Sequence, residues 1–201
     1  ASALLGLDDD GVASALGAAA TQTSGLTASF GTMSKPFHAG KAALNGVLSA
    51  ELARDGFVSA TDLLEEDGGL AKALVQDGSA AIQPLDFSQH WELTRNTYKP
   101  YAACLLTHPV IDAARSLADQ VEGRDIAEIH VDVNPACIKL AGKPSPTTGL
   151  EGKFSTAFCT ALALTGHQAT SLDFVAERIN DPALQNIVKR VRLSPDESMD
   201  L

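Results

Sequence analysis

The chain has 201 residues and a mass of 20.9 kDa. This is long for one ordinary domain and short for two, since domains mostly hold roughly 100–150 residues. With 45% hydrophobic and 20% charged residues, the composition supports a sizeable core and excludes a disordered chain. The formal net charge of −10 argues against nonspecific nucleic-acid binding and against attachment to an anionic membrane surface. No apolar run reaches the ~18 residues of a membrane span, so we expect a soluble globular protein.

The cysteines indicate the compartment. There are three of them, Cys104, Cys137 and Cys159, an odd number spread far apart along the chain. This spacing favours reduced thiols over a disulfide framework or a zinc site. We therefore predict a cytoplasmic protein without a structural metal.

The first part of the chain carries two helix patterns. Acidic residues 8–10 supply an N-cap and first-turn charges, and apolar residues follow at helical spacing as far as Gly25. A second helix is predicted over residues 39–55, where an apolar face ends just before Gly56. Residues 57–90 are typical of a connector. Because both patterns before it are helical, the first part is predicted to be helical.

The second part mixes helices and strands. A capping residue and an early proline predict a helix over 107–121, and strict alternation predicts a strand over 129–133. One helix is predicted over 148–166, and a short one begins at Asp181. Residues 188–193 are predicted to form a strand, with a helix end as the alternative. The predicted fold class is therefore α + (α+β), an all-helical part followed by a smaller α+β part.

Two stretches without any Asp or Glu stand out in this acidic chain, residues 11–50 and residues 93–111. Their basic and histidine residues are Lys35, His38, Lys41, Arg95, Lys99 and His108. Several of these lie where loops meet predicted helix N-termini, whose unpaired N–H groups favour anions. The two stretches therefore predict local positive potential that suits a carboxylate or phosphate ligand.

Each stretch also contains a Lys-Pro-aromatic sequence, at residues 35–37 and 99–101. Proline disfavours the α region for the residue before it, so Lys35 and Lys99 are both predicted to lie extended at irregular positions. The alternative is a simple turn with a lysine whose stem covers apolar surface. Either sequence alone favours that alternative, and the two together favour a binding site.

Four segments in order along the chain carry a family resemblance. They are Gly31-Thr-Met-Ser-Lys-Pro-Phe-His-Ala-Gly-Lys-Ala-Ala43, residues 98–109 from Tyr-Lys-Pro-Tyr to Thr-His-Pro, Lys139-Leu-Ala-Gly-Lys-Pro144, and Thr148-Gly-Leu-Glu-Gly-Lys-Phe-Ser155. This pattern resembles the MmgE/PrpD family, which includes 2-methylcitrate dehydratase, cis-aconitate decarboxylase and iminodisuccinate epimerase.

The resemblance implies a helical domain, a smaller α+β domain, an active site between them and a homodimer. Family chains are considerably longer, so this chain, which opens at Ala1 without an initiator Met, resembles their middle. We expect residues 1–88 to be the C-terminal part of the helical domain. Residues 89–201 would be the α+β domain, incomplete at its C-terminal end.

The resemblance also implies chemistry on a small di- or tricarboxylate without cofactor or metal. Lys35 and Lys99 would bind substrate carboxylates and stabilise developing charge. His38 or His108 would carry the proton, because an ordinary histidine pKa near 6.5 suits acid–base work at neutral pH. The predicted catalytic residues are thus His38, His108 and Lys99. Tyr101 joins the lysines as a substrate-binding residue through its hydroxyl, with simple packing as the alternative.

Two positions bear on the reaction. In the resemblance, decarboxylase members carry His where Cys104 stands and Tyr where Phe158 stands, which favours dehydration or epimerisation over decarboxylation here. We expect Cys104 itself to be an inert buried thiol. The alternatives to a 2-methylcitrate dehydratase-like enzyme are a noncatalytic fragment or pseudoenzyme that dimerises and binds carboxylates weakly, an epimerase or decarboxylase, and a helical scaffold that recognises acidic peptides.

Overall fold

A computed structural model describes residues 1–64, 66–75 and 91–200. The chain forms two compact units. Unit 1 comprises Ala1–Gly25 and Ser34–Asn96, and unit 2 comprises Leu26–Met33 and Thr97–Leu201. The boundary predicted between residues 88 and 89 lies outside the described residues. No helix in the described ranges is long and apolar enough to cross a membrane.

Unit 1 is built from helices α1 (Asp9–Ala20), α2 (Ser34–Arg54) and α3 (Leu70–Leu74). The predicted N-cap of α1 is confirmed, because the Asp8 carboxylate accepts from the Gly11 N–H at 2.9 Å. Helices α1 and α2 pack together, and the hydroxyl of Ser14 on α1 ties down the chain that follows α2. That hydroxyl donates to the Phe57 carbonyl at 3.0 Å and accepts from the Ser59 N–H at 2.8 Å.

The start of α2 differs from the prediction. The helix begins at Ser34 instead of residue 39, so Lys35 lies in its first turn and the extended conformation predicted for Lys35 is wrong. Pro36 is tolerated there because the first N–H groups of a helix have no partner within the helix, and a proline in the first turn removes no hydrogen bond.

Unit 2 contains α4 (His108–Val121), which confirms the helix predicted after Thr107. It also contains a two-stranded parallel sheet of β1 (Ile129–Val133) and β2 (Val191–Pro195), in which Ile129 pairs with Val191 and Val133 with Pro195. Both strands were predicted, but β2 begins three residues later than residue 188. Residues up to Val188 continue the preceding helix.

The other helices of unit 2 are short. They are α5 (Pro135–Ala141), α6 (Gly149–Gly152), α7 (Thr156–Leu164), α8 (Ala176–Ile179) and α9 (Pro182–Val188). Single turns of 3-10 helix occur at Thr27–Ser29, Glu92–Arg95, Leu105–Thr107 and Ser171–Asp173. The described part of unit 2 is therefore α+β, and that of unit 1 is helical.

The single helix predicted over 148–166 is wrong, since the chain forms α6 and α7 with a break between them. At the break, Ser155 forms an isolated bridge with Gly142, and the Lys143 N–H donates to the Phe154 carbonyl at 3.1 Å. The Ser155 hydroxyl then accepts from the Phe158 N–H at 3.2 Å and caps α7. Pairing with a distant segment thus interrupts a helical pattern that is continuous in sequence.

Helix α7 is the centre of the unit 2 core. Its residues from Thr156 to Ala163 are buried, and Phe158 is fully enclosed with its ring 6.0 Å from that of Phe174. Helices α4 and α9 pack against it. This core supports the segment in which the first group of predicted site residues lies.

Candidate functional site

The segment before α4 carries the first group of predicted site residues. Lys99 lies in irregular structure, as predicted. Its Nζ donates to the Ala103 carbonyl oxygen at 3.3 Å, which occupies one of its three donor hydrogens. The Cys104 N–H donates to the Lys153 carbonyl at 2.8 Å and anchors the segment within unit 2. Lys99 thus keeps donor capacity for an anionic ligand while its position is fixed.

Tyr101 belongs to that segment and contacts α4. Its hydroxyl donates to Oδ1 of Asp112, and this hydrogen bond together with burial raises the pKa of the phenol. The ring meets the His108 ring edge to face, with centroids 5.2 Å apart and planes at 83°. The Arg115 guanidinium carbon lies 6.0 Å from the same ring centroid. Tyr101 therefore packs and donates a hydrogen bond at once, in this structure to a protein carboxylate.

His108 is the first residue of α4 and only 6% exposed. Its Nε2 atom has no hydrogen-bond partner among the described residues, and the ring interacts with the backbone of Ala103. Burial lowers the pKa of His108, and the Lys99 charge adds to this, whereas Ala103 and Asp112 act in the opposite direction. His108 is therefore neutral at pH 7, with Nε2 available as a proton acceptor.

Sequence reasoning missed Asp112 and Arg115 as members of this group. The signal was present, because Asp112 follows His108 by four residues on a predicted helix and so shares its face. The stretch of residues 93–111 has no acid in sequence, yet the first acid after it contacts Tyr101 directly. The local positive charge around Lys99 is therefore smaller than the sequence alone predicts.

Lys35 and His38 lie on α2 in unit 1. The His38 ring packs against Gly25, whose φ is +132°; a Cβ at Gly25 would lie 3.0 Å from the His38 Nδ1 atom. Only glycine combines this backbone conformation with this close approach. Helix α1 ends at Ala20 and not near Gly25 as predicted; Gly25 instead shapes the surroundings of a predicted site residue.

A cavity of about 300 Å³ lies beside His38, entirely within unit 1. Its polar lining includes Gln22, Thr23, Lys41 and Asn45, and none of the lining residues that the structure describes is Asp or Glu. Lys41 donates to Oδ1 of Asn45, whose Nδ2 donates to the Gln22 carbonyl at 3.2 Å. A lysine, a half-exposed histidine and a buried amide at one cavity can bind a small carboxylate.

The structure thus places the predicted site residues in two groups, one in each unit. Lys99, Tyr101 and His108 come together before α4, and Lys35 and His38 share the N-terminal end of α2. The described residues contain no group of three or more His, Cys, Asp or Glu side chains arranged to hold a metal ion.

Cys137, Cys159 and Phe158 are buried in unit 2, whereas Cys104, expected to be buried, lies half-buried in the segment of Lys99 and Tyr101. Cys137 and Cys159 are buried, and burial raises both thiol pKa values, that of Cys159 to about 12. Thiols held in this state are poor nucleophiles. Cys104 is half-buried, and Phe158 is fully enclosed in the core.

The remaining histidines behave in different ways. His130 is exposed on β1, and its Nε2 lies 2.9 Å from Oε2 of Glu128. His167 is half-buried, with Nδ1 3.6 Å from Oδ1 of Asp173. His90 lies outside the described residues.

Comparison with known families gives a match for each part of the chain. Residues 1–83 match the model of the MmgE/PrpD N-terminal domain, and residues 101–201 match that of the MmgE/PrpD C-terminal domain. Tyr101 and His108 lie at the start of the second match, Lys99 lies two residues before it, and Lys35 and His38 lie within the first.

Curated relatives include cis-aconitate decarboxylases from a fungus and from mammals. The Aspergillus terreus enzyme is 27% identical over 98% of this chain and 44% of its own length. The Mus musculus and Homo sapiens enzymes are 25% and 26% identical over 96% of this chain and 41% of their own length. The chain thus spans less than half the length of the curated relatives that it matches.

Proposed function

Because the chain belongs to the MmgE/PrpD family, we propose that it is a lyase-type enzyme, or the core part of one, that acts on a small di- or tricarboxylate without a cofactor. The observation that carries this proposal is the group of Lys99, Tyr101 and His108, in which Lys99 donates to the Ala103 carbonyl, the Tyr101 hydroxyl donates to Asp112, and the Tyr101 ring packs on the buried His108. Such a group can bind a carboxylate and accept a proton beside it.

In the proposed mechanism Lys99 binds a substrate carboxylate and stabilises the negative charge that develops when the neighbouring carbon loses a proton. A carboxylate-binding role for Lys35, on α2 of unit 1, is a separate part of the proposal. The lowered pKa of His108 favours Nε2 of that residue as the base, since the ring is neutral at pH 7. Because Nε2 is buried, this role requires the segment before α4 to open for the substrate.

His38 is the second candidate for the proton carrier. It lies at an open cavity with Lys41, so substrate can reach its ring without any rearrangement of unit 1. The two histidines are separable by experiment. Exchange of the true proton carrier for Gln removes turnover, whereas exchange of the other histidine mainly changes substrate affinity or stability.

Two reactions are candidates. Dehydration of a 2-methylcitrate-like acid is supported by Cys104 and Phe158, which replace the His and Tyr expected in decarboxylases; Phe158 is enclosed and offers no hydroxyl. Decarboxylation of cis-aconitate is supported by the names of the curated relatives. Epimerisation of a related acid is a further alternative. All three begin with charge developing next to a carboxylate.

The test is turnover by the protein purified at its native length, with its intact mass measured first. The substrates are 2-methylcitrate, citrate and cis-aconitate. We expect one of them to react, Lys99→Met to lower kcat/KM by about 100-fold or more, and Lys139→Met, a matched change at an exposed lysine, to leave it unchanged. If no substrate reacts while the protein is folded, the noncatalytic alternative replaces this proposal.

A further inference from the structure

Three side chains on one face of α4 lie against Tyr101. His108, Asp112 and Arg115 are spaced by four and three residues, which places them on the same side of the helix. The Asp112 carboxylate accepts from the Tyr101 hydroxyl, and the His108 ring meets the Tyr101 ring edge to face. The Arg115 guanidinium carbon lies 6.0 Å from the centroid of the same ring. Tyr101 is therefore the common neighbour of all three.

The orientation of the His108 ring depends on packing. His108 is only 6% exposed, and its Nε2 atom has no hydrogen-bond partner in the part of the chain that the structure describes. The ring is held by its interaction with the Ala103 backbone and by the Tyr101 ring, whose centroid is 5.2 Å away at an interplanar angle of 83°. Aromatic rings favour this geometry. The position of the Tyr101 ring therefore helps to fix the direction in which Nε2 points.

The Tyr101 ring is in turn tied to α4 by Asp112. The hydrogen bond to the Asp112 carboxylate is the main reason why the pKa of the phenol lies above its ordinary value. The backbone beside Tyr101 is fastened independently, because the Ala102 N–H donates to the Ala169 carbonyl at 2.9 Å. The contact with Asp112 thus acts on the position of the tyrosine side chain more than on the course of the chain.

We propose that Asp112 is a positioning residue of this group, which holds the Tyr101 ring against the His108 imidazole through the phenol hydroxyl and so keeps Nε2 in one orientation. The inference rests on the proposed role of His108 as the base. The tether is needed because a base must be aligned with the proton that it accepts. Asp112 acts through Tyr101 and leaves the contact with substrate to the other members of the group.

The Asp112 charge has a second effect on the same ring. A carboxylate near His108 favours the protonated imidazole and so raises its pKa, whereas the Lys99 charge acts in the opposite direction. Helix α7, which packs against α4, has no charged residue. Because Asp112 is exposed, water and salt screen its charge, and we expect this effect to be small.

Three variants separate the tether from the charge. Asp112→Asn removes the charge but keeps an amide oxygen that can accept from the Tyr101 hydroxyl. Tyr101→Phe keeps the charge and the ring but removes the tether. Asp112→Ala removes both. The matched control is Asp119→Ala, which removes an exposed acid from the same helix two turns further on.

NMR measures the His108 ring without turnover. We expect the nuclear Overhauser contact between the two rings to persist in Asp112→Asn and to lose about half its intensity or more in Asp112→Ala and Tyr101→Phe. The pKa of His108 should fall by about 0.2–0.5 in both Asp112 variants and stay within about 0.1 in Tyr101→Phe. Asp119→Ala should change neither quantity.

Turnover of the polycarboxylate that reacts provides the kinetic test. Loss of the tether in Asp112→Ala should lower kcat by about tenfold or more, whereas Asp112→Asn should stay within about threefold of the original at pH 7. The acid limb of the kcat/KM profile of Asp112→Asn should move to lower pH together with the pKa of His108. A purely structural role of Asp112 would not move that limb.

The inference is overturned if the ring contact survives in Asp112→Ala, or if Asp112→Asn loses contact and activity as completely as Asp112→Ala. It is also overturned if the pKa of His108 is the same in all variants. Circular dichroism checks that each variant folds, which we expect because Asp112 is exposed. Failure of the proposed function gives a different pattern, in which His108→Gln retains turnover or no acid reacts, and the NMR results then decide the positioning by themselves.

Discussion

The interiors of the two units are packed with different kinds of side chain. In unit 2 the core contains large apolar side chains, among them Ile111, Phe158, Leu162 and Ile179, each at most 1% exposed. In the described part of unit 1 the buried apolar side chains are all alanines, and the other buried residues are Gly, Ser and Asn. Burial stabilises by about 25 cal/mol per Å² of apolar area, so unit 2 gains far more per side chain.

In unit 1, close backbone approach holds α1 against the segment after α2, and side-chain hydrogen bonds link the C-terminal end of α1 to α2. Gly17 approaches the Ala60 carbonyl so closely that a Cβ would lie 2.0 Å from the oxygen. Nε2 of Gln22 donates to the Ala18 carbonyl and to the buried Ser49 hydroxyl. We therefore infer that unit 2 is sensitive to loss of volume and unit 1 to gain of volume, and each half of this comparison can be tested.

The largest effect is expected from Phe158→Ala. The change leaves a cavity at the centre of the unit 2 core, and such truncations cost about 3–5 kcal/mol. Residue-resolved hydrogen exchange would measure it, with protection lost in α4, α7 and α9. Phe158→Leu, which retains more of the volume, should cost less than half as much. Equal losses for Leu and Ala would mean that the core does not depend on this volume.

Gly17→Ala is expected to have the next largest effect. Alanine favours helix over glycine by about 1 kcal/mol, but here the new methyl group would overlap the Ala60 carbonyl, so we expect a net loss of about 1–3 kcal/mol. Protection of α1 amides would report it.

Gly46→Ala on α2 is the control for this change, because nothing lies within 4 Å of a Cβ at Gly46. That variant should gain stability by about 0.5–1 kcal/mol. A gain for both variants would show that the approach of Gly17 to Ala60 does not hold unit 1 together.

A third prediction concerns pH and unit 2. Burial lowers the pKa of His108 in the folded state, so the unfolded state binds the proton more readily. The contribution of His108 to stability is therefore complete above the unfolded pKa of about 6.5 and is lost as the pH falls below it.

Urea midpoints measured from about pH 7.5 to pH 5 should fall less steeply for His108→Gln than for the original protein. If His108→Gln and the original protein give the same slope, the titration of His108 does not contribute to stability.

Local signals predicted most of the fold and part of the candidate site. Capping residues and periodicity located α1, α4 and both strands, because those elements form from their own sequence. The break between α6 and α7 depends on pairing with residues 142–143, and the Tyr101–Asp112 contact depends on how α4 turns. Such distant contacts leave no local pattern. The helical conformation of Lys35 in the first turn of α2 was not predicted. Proline disfavours a helical conformation of the residue before it, but this preference is weaker in the first turn of a helix.

The smallest effect is expected from Phe37→Ala, which is the unit 1 counterpart of Phe158→Ala. Phe37 is 64% exposed and shares with Leu44 and Leu48 an apolar stripe on α2. Truncation removes little buried area and improves helix propensity, so we expect a change below about 0.5 kcal/mol, in the stabilising direction. Chemical denaturation measures it. A loss above about 2 kcal/mol would instead be the cost of truncating a buried phenylalanine. The α2 stripe would then be covered in solution, and unit 1 would also depend on the burial of large apolar side chains.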